Sequence, residues 1–399
     1  MELDEKFTER ILDMNGDPEL EPNRTADAGS EVNSANRTAD AGSDMTPTSR
    51  ADDLVAMLRK YPAISLAGPA ENAEILEFFD KSSISGQTLK LRYIRSPDFF
   101  RFLKYRAPVN YVFAGRTTSR SISGIAAYSF NRAYINGAEE TICYLGDLRA
   151  EFNRETAVSW RDLYGEILLN ARNLPGLGGC RYFFTAIIDD NQTARRTLVD
   201  RSNNPFVYRE LCKYKMVNIV RRKPWAGIPS PPAPYSGRGR RSTKNAWGVR
   251  RAEPLDLEQL TAFLAREARL RQFGPAFTSE LPRRLSEWNA FSLGSFFIHE
   301  NAEGQIDGCV APWSPAPAKK IIVEEIPPSM RAFRAAMGLF GRGVPGPGEE
   351  LEISYLTHFQ ISSSMDEGGR GKIFEELLSA AYRERPGILG YCDFECDSG

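Results

Sequence analysis

The sequence predicts two mixed α/β domains in tandem, and three observations carry that expectation. Its 399 residues exceed what one ordinary core organises. Two segments each run through antiparallel strands, one long strand, a joint of small residues, an amphipathic helix and an apolar strand. Between them lies RRKPWAGIPSPPAPYSGRGRRSTKNAWGVRR, residues 221–251, whose prolines and glycines mark a spacer. The expected division is a tail at 1–50, a first domain at 51–222, a Pro- and Arg-rich linker at 223–249 and a partial second domain at 250–399.

The tail carries NRTADAGS at 23–30 and again at 36–43, in a stretch poor in aromatic and branched apolar residues. Such a stretch cannot bury enough surface to offset chain entropy and is expected to be disordered. In the first domain, LKLRYIRSPDFF, NYVFAGR, SGIAAYSFNRAYING and TICYLGDLRAEF read as strands, with a turn in INGAEET. Trp160, Leu163, Tyr164, Ile167, Leu168 and Ala171 then recur at helical spacing. PGLGG ends that helix, and RYFFTAIIDD reads as a central strand. Asn191, a short helix QTARRTLVD and a strand pair in FVYRELCKYKMVNIV follow.

The second domain opens with two helical stretches, LEQLTAFLAREARLR and SELPRRLSEWNAF, and a hairpin turning at Gly304. LEISYLTHFQI alternates without a slip, placing Leu351, Ile353, Tyr355, Thr357, Phe359 and Ile361 on one face. SSSMDEGGRG is the joint; Ile373, Phe374, Leu377, Leu378, Ala381 and Tyr382 form the helical stripe behind it. The chain stops soon after the strand ILGYCDF, so this copy reads as shortened.

Composition narrows the function. A hydrophobic content of 42% with 26% charged residues fits a soluble globular protein. No apolar run approaches the roughly 18 residues of a membrane span. The start MELDEKFTER lacks a signal peptide's regions, so a cytoplasmic location is expected. The six cysteines (Cys143, Cys180, Cys212, Cys309, Cys392, Cys396) lack metal-ligand spacing, and two histidines in all give no zinc set, so no metal is expected. Net charge of -1 proposes no polyanionic partner.

YLGDLRA at 144–150, the helix after it and FFTAIIDDNQTAR at 183–195 resemble the GNAT acetyltransferase superfamily, and more narrowly its bacterial members with two such domains in one chain. The resemblance implies two tandem GNAT-like domains, acetyl-CoA as cosubstrate and transfer to a small-molecule or protein amine. At the family's joint an Arg/Gln-x-x-Gly-x-Gly/Ala loop holds the pyrophosphate on backbone N–H groups and the positive end of a helix. In the first copy it matches Arg154, Thr156, Ala157, Val158 and Ser159, with Ala157 and Ser159 at the small positions. In the second it matches Asp366-Glu367-Gly368-Gly369-Arg370-Gly371, so Gly369, Arg370 and Gly371 are cofactor candidates although an acid replaces the arginine.

The resemblance also places the thioester carbonyl near the backbone of Leu148, Arg149 and Ala150. Asp147 and Glu151 lie at the same strand end as base candidates, with a surface pair or a partner for Arg149 as the plain alternative. Seven residues after Asn191, where the family often carries a tyrosine acid, stands Leu198; Tyr208 is the nearest downstream hydroxyl. His358 lies on the strand before the second joint, where packing explains a lone histidine as well as chemistry does. Two other functions stay open: a non-catalytic acyl-CoA sensor or interaction protein, and nucleic-acid binding through Arg221, Arg222, Lys223, Arg238, Arg240, Arg241, Lys244, Arg250 and Arg251 with Trp225, Tyr235 and Trp247 between them. A solvated linker is the plain reading of that segment, and no nucleic-acid module accompanies it.

Overall fold

The computed structural model describes residues 5–12, 52–81, 84–85, 90–151, 154–188, 191–199, 206–219, 248–328, 331, 334, 345–384 and 388–395. The first half runs β1 (Glu5–Leu12), α1 (Asp52–Leu58), β2 (Ile64–Ala67), α2 (Asn72–Asp80), β3 (Ile84–Ser85), β4 (Lys90–Ile94), α3 (Phe99–Arg106), β5 (Val109–Arg116), β6 (Ile122–Ile135), β7 (Ala138–Ala150), α4 (Arg154–Asn170), β8 (Tyr182–Ile188), the single turn α5 (Gln192–Ala194) and β9 (Tyr208–Ile219). The second runs β10 (Val249–Arg251), α6 (Leu257–Arg269), β11 (Gly274–Pro275), α7 (Phe277–Glu287), β12 (Phe297–Glu300), β13 (Ile306–Trp313), β14 (Lys320–Glu325), β15 (Ile353–Ile361), α8 (Glu367–Glu384) and β16 (Ile388–Glu395).

One mixed sheet carries both halves, in the order β10-β12-β13-β15-β16-β9-β1-β8-β7-β6-β5-β2. Read from its two ends, the order is the same five-strand motif met twice: β2-β5-β6-β7-β8 and β10-β12-β13-β15-β16. In each, a long strand pairs antiparallel with its predecessor, a helix follows, and the next strand returns parallel. The chain is therefore a tandem of two similar α/β units. Among the described residues of the second half nothing matches α5 and β9; instead β9 of the first half runs antiparallel beside β16, from Leu389↔Ile219 to Glu395↔Lys213. The halves also clasp. β4 pairs with β14 in a small second sheet, and β11 pairs with β6 at Gly274↔Tyr134.

Local chemistry explains most elements. Asn136 and Gly137, at φ 50° and 75°, make the tight turn between β6 and β7, where an Asn-Gly pair matches the twist of the strands. Leu163, Ile167 and Leu168 of α4, with Ala171 in the turn just after it, are buried in one core with Leu145 and Phe183, as the stripe predicts. Ile373, Leu377 and Ala381 do the same for α8 against Leu356 and Leu389.

Four expectations are corrected. LKLRYIRSPDFF is not one strand: β4 ends at Ile94, and Asp98 caps α3 by accepting from the Phe100 N–H at 2.9 Å. FVYRELCKYKMVNIV contributes one strand, β9, rather than a pair. Within the tail read as disordered, Glu5–Leu12 is a strand laddered on both sides, by β8 and β9; the rest of the tail lies outside the described residues. Finally, β15 does slip. Its register against β13 shifts between Ala311↔Thr357 and Cys309↔Gln360, so His358 and Phe359 together oppose one residue. Leu356, Phe359 and Ile361 therefore pack toward α8, while His358 and Gln360 are buried on the other side.

Candidate active site

The two halves place the same irregularity at the same point. β7 and β8 pair in parallel only from Ile142↔Tyr182 to Tyr144↔Phe184; β15 and β16 do so only from Ile353↔Ile388 to Tyr355↔Gly390. Beyond these rungs the strands part, because β7 stays with β6 while β8 follows β1. Past the last rung in each copy comes a bulge. In β7 the register moves from Ala127↔Gly146 to Ile125↔Arg149, so Asp147 and Leu148 oppose Ala126 alone. Asp147 has φ 51° and its counterpart His358 φ 52°, the left-handed region that side chains rarely adopt. At the parting Thr185 donates its hydroxyl to the Leu145 carbonyl at 2.7 Å, and Leu148 is 52% exposed.

Asp147 is buried among cations. Its carboxylate accepts from Arg95 Nη2 at 3.2 Å and Arg106 Nη1 at 3.0 Å. Burial by itself raises its pKa, but the guanidiniums of Arg106 and Arg95 outweigh burial and bring it to about 2. A Cβ on Gly146 would stand 2.9 Å from Arg106 Nη1, so the glycine keeps this approach open. Arg149 lies over the Phe79 ring at 3.5 Å and donates to the Phe79 carbonyl at 2.7 Å. Glu151, just past the strand end, is exposed; its N–H donates to the Ser123 carbonyl at 2.8 Å. The two base candidates thus differ sharply: Asp147 is an ion-paired anchor and Glu151 a solvated carboxylate.

The segment matched to the cofactor loop is helical, since α4 begins at Arg154. The side chains of Arg154, Thr156 and Ala157 lie outside the described residues; Val158 is 45% exposed and Ser159 half-buried. Trp160 turns its indole onto the sheet, where a Cβ on Gly115 or Gly124 would come within 2.6 or 2.8 Å of its Nε1. Asn191 caps α5, its Oδ1 accepting from the Ala194 N–H at 3.0 Å. Tyr208 is buried with its hydroxyl against that of Tyr164, in the cluster that holds Leu145 and Phe183. Burial pushes both phenols well up.

The second joint is occupied by its own carboxylates. Asp366 Oδ1 accepts from the Gly369 N–H at 3.3 Å and the Asp366 carbonyl from the Arg370 N–H at 3.0 Å, so this acid caps α8. Glu267, buried on α6, accepts from the Ser363 N–H at 3.0 Å. At the bulge, His358 Nε2 accepts from Arg284 Nη1 at 3.1 Å; its Nδ1–H then donates to Thr357 Oγ1 at 2.9 Å, and that hydroxyl to the Ala311 carbonyl at 2.7 Å. Rings of Phe277, Trp288, Phe291 and Phe296 surround the imidazole. Burial, then the Arg284 charge, holds its pKa well below 6.5, so it is a neutral packed histidine.

Sequence reasoning missed Arg95, Arg106, Thr185 and Glu267. Arg95 precedes α3 and Arg106 ends it, the helix whose start lies under a strand reading, and nothing in the sequence ties Glu267 to a joint nearly a hundred residues away. The basic linker lies outside the described residues except at its end, where β10 begins at Val249; Arg250 pairs with Asp256 and Glu300, and Arg251 with Glu384. No group of metal-ligating side chains occurs among the described residues, and none of their helices is long and apolar enough to cross a membrane.

No protein-family model matches the sequence, and no curated protein matches it. Among solved structures, the chain is similar to a tandem GNAT protein from the clavulanic acid biosynthesis pathway, at 10% identity over 84% of this chain and 90% of that one, with a TM-score of 0.41. It is similar to Saccharomyces cerevisiae N-myristoyltransferase with bound myristoyl-CoA, at 9% identity over 90% and 79%, TM-score 0.46. A conserved Enterococcus faecalis V583 protein, described as a probable N-acyltransferase, matches at 8% identity over 84% of this chain and 66% of that one, TM-score 0.43.

Proposed function

We propose that the first half binds an acyl-CoA, with acetyl-CoA as the donor, at the joint of β7 and α4 and transfers the acyl group to an amine. The observation that carries this reading is the bulge at Asp147–Leu148, set where β7 and β8 part and directly before a helix. A bulge leaves backbone polar groups outside the ladder, here at a solvent-reached position. Such an N–H polarises the thioester carbonyl, while the start of α4, with Arg154, faces the pyrophosphate.

The amine nitrogen then forms the new C–N bond as the C–S bond breaks. Its proton leaves through Glu151, directly or by one water. The CoA thiolate takes its proton from water, because Tyr208, the nearest downstream hydroxyl, is buried against Tyr164 and burial makes it a weak donor. Asp147, ionised and paired, shapes the bulge rather than taking the proton. The second half takes no cofactor in this scheme, because Asp366 and Glu267 already hold the N–H groups that a phosphate would need.

A sensor that binds acyl-CoA without transfer is the second reading, favoured by one observation: Leu198 stands where the family's tyrosine acid is common. Titration calorimetry with acetyl-CoA tests both. Ala157→Leu should block the phosphate approach, and Arg154→Ala should weaken binding about tenfold, the loss of one charge-assisted contact. Unchanged affinity in both variants would refute the site. Thiol release with an amine panel then separates enzyme from sensor.

A further inference from the structure

Three ionisable side chains of the second half meet in a row between its sheet and its helix. His299 of β12 sets its Nδ1 against Asp307 Oδ1 of β13, and its Nε2 faces Glu376 Oε2 of α8 at 3.9 Å. Their side chains are 16%, 9% and 3% exposed, in that order. Because a carboxylate accepts, the Asp307 contact fixes a ring proton on Nδ1 and leaves Nε2 as the end that can change. Gly248, at φ 63°, lies over that nitrogen so closely that a Cβ there would come within 2.5 Å. Glu376 Oε2 is buried without a hydrogen-bond partner, and 3.9 Å is too long for a bond to Nε2. Two acceptors thus face each other across a covered gap unless a proton stands between them.

The first half treats the matching position differently. The stripe Leu163, Ile167, Leu168 and Ala171 corresponds to Ile373, Leu377, Leu378 and Ala381, so Glu166 on α4 is the counterpart of Glu376. Glu166 accepts from Lys60 Nζ at 2.5 Å and from the Tyr61 hydroxyl at 2.7 Å, and these donors hold its carboxyl below the usual range. No donor of that kind reaches Glu376 Oε2. Burial pushes the Glu376 carboxyl up; the charges of His299 and of Lys372 on α8 oppose that rise, and the charge of Asp307 adds to it. On β10 and β12, Arg250 and Glu300 pair with each other. The helix itself is pressed onto the hairpin, since a Cβ on Gly308 would stand 2.7 Å from Ile373 Cγ2. Beyond α8 the chain enters β16, the strand that pairs with β9 of the first half.

We propose that Glu376 and His299 share one proton that latches α8 to the β12–β13 hairpin, making the second half a pH-sensitive clamp beside the seam with β9. With the proton in place, Oε2 and Nε2 close to a hydrogen bond that Asp307 supports from the far side of the ring. Without it, a buried carboxylate faces a bare ring nitrogen and α8 loosens. Since burial raises the Glu376 carboxyl, the unfolded chain releases its proton near 4.5 while the folded chain keeps it. Stability from this group therefore falls as pH rises above 4.5, and levels off once the folded carboxyl has titrated as well. His358 acts in the opposite sense, so the latch is read as a difference between proteins that both retain His358.

Melting temperature of the full chain against pH, with Glu376→Gln beside the parent, tests the latch. A glutamine amide donates to Nε2 at every pH, so the variant should gain on the parent by about 2 °C or more between about pH 5 and about pH 8. A difference that stays constant across that range, or shrinks, overturns the proposal. Amide hydrogen exchange of the unaltered protein decides the matter if the variant fails to fold. Protection at Leu377 of α8, taken relative to Ile167 of α4, should drop about tenfold over the same range. A ratio that does not move with pH would leave the three side chains as packing alone.

Discussion

Thr185 donates its hydroxyl to the Leu145 carbonyl at 2.7 Å, at the point where β7 and β8 stop pairing through their backbones. A side chain therefore takes the rung that the parallel ladder gives up, and the cleft above it opens without leaving that carbonyl dry. Thr185→Val keeps the shape and removes the donor. Chemical denaturation should show a loss of about 1–3 kcal/mol, the cost of an unsatisfied buried acceptor. A variant as stable as the parent would mean that water replaces the hydroxyl and that the cleft reaches deeper than Leu145.

The glycines under Trp160 make a second test. Gly115→Ala places a methyl where the indole now lies, at 2.6 Å from Nε1, and overpacking of this kind costs about 1–3 kcal/mol. Trp160→Phe should relieve most of that penalty, so a double-mutant cycle on thermal stability will show strong coupling between the two positions. Independent, additive losses would place the strain elsewhere.

These two contacts also show what the sequence could convey. Periodicity revealed α4, α8 and their stripes, because Leu163, Ile167, Ile373 and Leu377 announce a buried face by spacing alone. The repeated joint was legible for the same reason. The bulges were not: a one-residue slip at Asp147 or His358 leaves hydrophobic alternation nearly intact on paper while turning every later side chain over. Charge was harder still. Asp147 reads as a free base beside Glu151, yet its partners Arg95 and Arg106 stand 52 and 41 residues away, brought in by a helix whose cap, Asp98, sits in an apparent strand.

His358 sets a pH dependence. It is neutral in the folded chain and its pKa lies well below the unfolded value of 6.5. As pH falls below 6.5 the unfolded state takes up a proton that the folded state refuses, so stability declines on the acid side and is flat above it. His358→Gln should flatten melting temperature against pH between about 5 and 7 relative to the parent. Equal slopes in both proteins would assign the dependence to another group.

At the second joint, Asp366→Ala removes the cap on α8 and should cost about 1 kcal/mol. Gly371→Ala should gain about 0.5–1 kcal/mol, since a Cβ there meets nothing within 4 Å and alanine favours helix. Neither Gly369→Val nor Gly371→Val should change acetyl-CoA affinity. Weakened binding in either valine variant would return the cofactor to the second half.

Asp147 and Glu151 separate anchoring from catalysis. With its pKa near 2, Asp147 is ionised at every working pH, and its stabilising effect, full above 3.8, is lost only as pH falls through about 2. It therefore contributes no limb to a pH–rate profile near neutrality. Asp147→Asn should act on the fold, costing about 3–5 kcal/mol by leaving Arg95 and Arg106 without their shared carboxylate. Glu151→Gln should leave melting temperature unchanged, because the side chain is exposed, yet lower kcat by about a hundredfold or more if it relays the amine's proton. The opposite pattern, a stable but inactive Asp147→Asn with an active Glu151→Gln, would make the buried aspartate the base and require Arg95 and Arg106 to move apart when substrate binds.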